Sequence, residues 1–138
     1  MLKELYHQDF QLWLTRTAEC LRTQRYDHLD LENLIEEIES MGRSDKTALR
    51  SNLGVLLVHL LKWAYQPDKR TNGWRATIAE HALRINESFS ESPSLKSYFA
   101  EVFPECYANA RRLAIGNFPK QCPFAISEVL NPLPSAED

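Results

Sequence analysis

Apolar residues along the chain recur at spacings of three and four, and the alternation that marks a half-buried strand is hard to find. Glycine is scarce and the prolines gather late, so helices have few early breaks. The expected fold class is all-α. Tyr6, Phe10, Trp13, Leu14, Thr17 and Leu21 fall within about a quarter turn of one another on a helical projection, which predicts an amphipathic helix from about Gln8 to Thr23. Asp9, or a residue just before it, is the expected cap.

A second helix is expected to open at Asp30, with a stripe of Leu31, Leu34, Ile35, Ile38 and Met41. Gly42 and Ser44 are residues that can end one helix and cap another. Yet the apolar phase continues through Leu49, Leu53, Leu56 and Leu60, and Glu32, Glu36, Glu39, Arg43, Lys46 and Arg50 hold one angular position throughout. Two helices meeting at an arbitrary angle have no need of that continuity. The pattern therefore predicts one long helix to about Tyr65, bent or loosened near Gly42, and roughly 50 Å long at 1.5 Å per residue. Between Leu53 and Leu61 it is apolar almost all round, as expected of a central strut.

Gln66 to Gly73 reads as a turn around Pro67, with Thr71 or Asn72 able to cap the next helix. Trp74, Ile78, His81, Ala82, Ile85 and Phe89 make the stripe of that helix. Ser92 and Pro93 open a last long helix carrying Leu95, Phe99, Val102, Cys106, Ala110 and Leu113 on one face, with a kink expected at Pro104. The expected architecture is a single-domain helical bundle of about four main helices over residues 1–118. An irregular, proline-containing C-terminal tail occupies 119–138, with one short helical turn near Ala125 to Leu130.

Composition narrows the function classes. Sixteen Lys and Arg against nineteen Asp and Glu give a formal net charge of -3, so no overall basic surplus points to nucleic acid or an anionic membrane. Three cysteines are an odd number without C-x-x-C spacing, which suggests neither a disulfide framework nor a structural zinc site. Reduced thiols, and an N-terminus without the apolar run of a signal peptide, lead us to expect a cytoplasmic protein with no membrane span.

The segments LENLIEEIESMGRS (Leu31 to Ser44), HLLKWAYQPDKRTNGWRATI (His59 to Ile78) and SPSLKSYF (Ser92 to Phe99) resemble the characteristic blocks of a bacterial family, many of its members cyanobacterial, known as domain of unknown function 29. The resemblance extends over nearly the whole chain, from YHQDFQLWL near the start to NFPKQCPF near the end. It implies a small helical bundle in a cytoplasmic bacterial protein. It implies no activity, and it brings no catalytic residues with it.

Two clusters carry the chemistry that the residues themselves suggest. Lys62, Trp63, Tyr65, Lys69, Arg70, Trp74 and Arg75 surround the proline turn, and cations interleaved with aromatics can hold phosphates and stack bases. The plainer reading makes Trp63 and Trp74 a clamp on the turn, with Arg70 or Arg75 stacked on an indole. The second cluster is the acidic stripe with Glu36 and Glu39, which together with His59 and His81 offers ligands for a mononuclear metal site. Acids near a helix N-terminus and an i, i+4 pair from Glu39 to Arg43 account for the stripe without any metal. His81 sits in an apolar stripe, where a core histidine with a hydrogen-bond partner is the ordinary case. A di-iron bundle needs two E-x-x-H pairs, and Glu4 with His7 is a single one at a terminus expected to fray.

No nucleophile has an activated setting at Cys20, Cys106 or Cys122, and Gly-rich phosphate loops and hydrolase motifs are absent from the sequence. Enzyme activity is therefore disfavoured and no cofactor is expected. Large apolar residues beyond one stripe per helix, among them Leu12, Val55, Val58, Leu83 and Phe103, point to an interface. A non-catalytic module that acts through protein contacts, self-association included, ranks first. An anion or nucleic-acid binder using residues 62–75 ranks second, and a metal-dependent enzyme third.

Overall fold

The computed structural model describes residues 1–132, and among these it is built from helices without strands. The helices are α1 (Leu2–Gln8), α2 (Phe10–Arg22), α3 (Leu31–Tyr65), α4 (Asn72–Glu91), α5 (Leu95–Leu113) and α6 (Ile126–Leu130), with single 3-10 turns at Tyr26–His28 and Pro67–Lys69. The all-α expectation holds, and α3 runs without a break through Gly42 for 35 residues. The residues form two compact units, Met1–Ser44 and a second that begins at Asp45.

The first unit is small. Asp9 caps α2, accepting from the Leu12 N–H at 3.1 Å, and α1 stands as an additional short helix before it. Past the end of α2 at Arg22 the chain turns at Gln24, whose φ of 60° is left-handed, with the Arg25 N–H bonded to Cys20 O at 2.8 Å and the Gln24 N–H to Leu21 O at 3.3 Å. Trp13 is fully buried. Its indole Nε1 donates to Asp30 Oδ2 at 3.3 Å, while Asp30 also accepts from the Asn33 side chain at 2.6 Å and its backbone N–H at 3.4 Å. One carboxylate thus caps α3 and satisfies the buried tryptophan. Tyr6 packs edge-on to Trp13 and Phe10 and donates its hydroxyl proton to Glu37, which ties α1 to α3.

The second unit holds the main core. From α3, Leu49, Leu53, Leu56, Leu57 and Leu61 are fully buried, and they meet Ile78 and Ile85 of α4 and Phe99, Val102 and Cys106 of α5. Fully burying a leucine side chain stabilises by about 1.5–3 kcal/mol, so this stretch of α3 is held by packing. Phe89 and Phe99 meet edge to face at 5.2 Å. Pro104 lies inside α5, where it removes one hydrogen bond. The segment after α5 returns to the same core: Tyr107 Oη donates to Pro119 O at 2.5 Å, Asn86 Nδ2 to Leu130 O at 2.8 Å, and Val129 of α6 is fully buried. Gly116 allows that return, because a Cβ there would lie 2.8 Å from the Phe118 ring. Residues 133–138 of the expected tail lie outside the described residues.

In the second unit two expectations about burial fail. Leu113, expected on the buried face of α5, is 71% exposed, since it falls in the last turn where no neighbouring element covers it. Phe103, expected at an interface, is a core residue against Phe99. Among its companions Leu83 and Val55 are exposed, whereas Leu12 and Val58 are half-buried.

Candidate functional site

The first half of α3 presents an apolar surface that its own unit leaves uncovered. Leu31, Ile35, Ile38 and Met41 are 57%, 53%, 56% and 61% exposed. They follow the i, i+4, i+7, i+10 spacing of one helix face, whereas Glu37 faces Tyr6 and Leu34 is half-buried. The sequence pattern points these residues at a core. The periodicity is present and its partner is missing, because α1 and α2 reach α3 at Asp30, Glu32 and Glu37 and leave this row exposed. Alongside runs the charged stripe: Arg43 Nη2 lies 2.7 Å from Glu36 and Nη1 3.8 Å from Glu39, in an exposed pairing worth little in isolation.

The basic aromatic turn is the second candidate. Thr71 caps α4, its Oγ1 accepting from the Trp74 N–H at 3.0 Å. This cap and the 3-10 turn Pro67–Lys69 swing Arg70 and Arg75 onto one indole. Arg70 Cζ lies 4.8 Å and Arg75 Cζ 5.6 Å from the Trp63 ring centroid. Arg70 Nε also donates to Trp63 O at 2.8 Å, which fixes the guanidinium at the end of α3. Lys62 Nζ lies 5.8 Å from the Trp74 ring. Trp63, Arg70, Thr71, Asn72 and Arg75 line an open cleft of about 580 Å³. Of the residues singled out from sequence, Tyr65 lies apart from this cleft, edge-on to Phe118, and Lys69 stands on the exposed 3-10 turn.

The four candidate metal ligands have other partners. Glu36 and Glu39 pair with Arg43. His59 Nδ1 donates to Val55 O at 2.8 Å, and His81 Nδ1 lies 2.8 Å from Asn52 Oδ1, an acceptor, so that ring's proton sits on Nδ1. Burial, aided by Arg84 and His59, lowers the His81 pKa and favours the neutral ring. Among the described residues no three His, Cys, Asp or Glu side chains gather as a metal site requires. Burial also raises the thiols of Cys106 and Cys122, the opposite of what a nucleophile needs.

A cleft of about 450 Å³ in the first unit is lined by Arg16, Glu19, Arg25 and Asp27 together with Leu2, Leu5 and Cys20, two bases and two acids that leave it no net charge of its own. No helix among the described residues is long and apolar enough to cross a membrane.

Among the described residues the protein is all-α, with a large helical core in one unit and an exposed apolar row on α3 in the other. The family described as Domain of unknown function DUF29 matches residues 5–133, and the chain belongs to that family. No curated protein and no solved structure matches it.

Proposed function

We propose that the protein is a non-catalytic contact module that pairs with a second copy of itself through the first half of α3. The observation that carries this reading is the row of four large apolar side chains, each more than half exposed, on one face of a continuous helix. A second copy is favoured over an unrelated partner because it presents the same row of side chains, so a two-fold pair sets one apolar row against the other. Gly42 adjoins the row, and with nothing within 4 Å of the place of its missing Cβ it leaves room for close approach.

Light scattering after size exclusion, over a range of protein concentrations, tests this. The native chain is expected to run as a dimer, and the variant carrying Ile35→Lys and Ile38→Lys as a folded monomer with an unchanged helical circular-dichroism spectrum. A monomeric native chain at all concentrations, or a variant that still dimerises, overturns the reading.

A further inference from the structure

We infer that the cleft at the junction of α3 and α4 is a binding site for the phosphate group of a small molecule, held by Arg70 and Arg75 against Trp63. Arg75 is half-buried, and among the described residues its guanidinium has neither a carboxylate within 4.0 Å nor any hydrogen-bond acceptor. Arg70 spends one N–H on Trp63 O and leaves its two terminal nitrogens without an acceptor. Neither guanidinium is sealed from water, so both forks are open to a ligand arriving from solvent. Here two guanidiniums share one indole and keep their forked donors for something else. Guanidinium forks match tetrahedral phosphate oxygens, and a cation fixed on a tryptophan face loses little further freedom when it binds.

The size of the cleft and the surrounding charge select the ligand class. At about 580 Å³ the cleft falls within the range of small-molecule sites and exceeds what a bare phosphate fills. The two guanidiniums already stack on Trp63, so its ring is engaged and base stacking is not the source of affinity. A nucleic-acid strand needs cations repeated along several phosphates, whereas the net charge of the chain is -3 and the cations of this cleft belong to one turn.

The three tryptophans supply the assay. Indole N–H resonances of 15N-labelled protein are followed at constant ionic strength while inorganic phosphate, adenosine monophosphate or a single-stranded dodecanucleotide is added. Saturable movement of the Trp63 resonance with inorganic phosphate or with the monophosphate is expected, while that of Trp13, in the other unit, stays still. Tighter binding of the monophosphate places part of the carried group in the cleft, and equal binding assigns recognition to the phosphate alone; both outcomes support the site. Arg75→Gln, and separately Arg70→Gln, should weaken binding at least about tenfold with the circular-dichroism spectrum retained. Absence of saturation with either small probe, equal movement of Trp13, or binding of the dodecanucleotide alone overturns the inference.

Discussion

The two halves of α3 carry the same apolar periodicity and meet opposite fates. Beyond Asp45 the leucines at 49, 53, 56 and 57 are fully buried against α4 and α5, while before it Leu31, Ile35, Ile38 and Met41 stand more than half exposed. The difference lies in what each half is offered. The second half has two long helices and a returning segment to pack on, whereas the first has α1 and α2, which reach it through Trp13 on Asp30 and Tyr6 on Glu37. Amphipathicity states that a face will be covered, and it leaves open whether the cover comes from the same chain.

The comparison is most directly broken by paired truncations. Leu57→Ala should lower unfolding free energy by about 2–5 kcal/mol, the cost of a cavity in a packed core. Ile38→Ala removes a similar side chain from the exposed half and should stay within about 0.5 kcal/mol when measured at concentrations where the protein is monomeric. Urea titration of the two variants side by side decides the matter: comparable losses would mean that the exposed stripe is covered within the single chain.

Gly42 sharpens the same comparison with a smaller effect of opposite sign. It sits inside a helix, next to the division between the units, with open space where a Cβ would go. Gly42→Ala should therefore stabilise the monomer by about 0.5–1 kcal/mol, since glycine carries the larger conformational cost in a helix. A loss of stability on the same titration would show that the helix needs freedom at that residue. If the pair forms as proposed, the added methyl should at the same time weaken the dimer.

Much of the fold was legible because it depends on local rules. Asp9 capping α2, Thr71 capping α4 and the unbroken phase across Gly42 were all readable from residue type and spacing, and so was the turn of helix near α6. The convergence of Trp63, Arg70 and Arg75 was legible too, because a short proline turn keeps these residues close in sequence and in space. What sequence could not supply was long-range choice. The all-round apolar stretch from Leu53 to Leu61 marked the covered half of α3, but no local pattern says that Ile38 goes uncovered or that Leu113 lies past the cover of its neighbours. The Tyr6 to Glu37 link and the pairing of His81 with Asn52 join residues on different helices, so no spacing rule announces either.

Those two links also give the two regions opposite responses to pH. In the first unit the hydrogen bond from Tyr6 to Glu37, with burial and the nearby acids adding to it, holds the phenol protonated and pushes its pKa up to about 12. Because the folded value lies above the ordinary 10.0, the stabilisation is complete below that value and is lost as pH rises from there through about 12. In the second unit burial, with Arg84 and His59 nearby and Glu80 opposing them, pulls His81 below the ordinary 6.5. An unfolded chain then takes up the proton first, so this contribution is present above 6.5 and disappears as pH falls through the lower folded value. Tyr6→Phe should flatten the alkaline limb and leave the acid limb as it was, while His81→Gln should do the reverse. The acid effect is expected to be the smaller, because His81 remains partly solvated and its bond to Asn52 survives protonation at Nε2. Urea midpoints at pH 7.5 and 5.5 for the native chain and His81→Gln measure it as a difference of differences; identical pH dependence in the two proteins would remove His81 from the acid response.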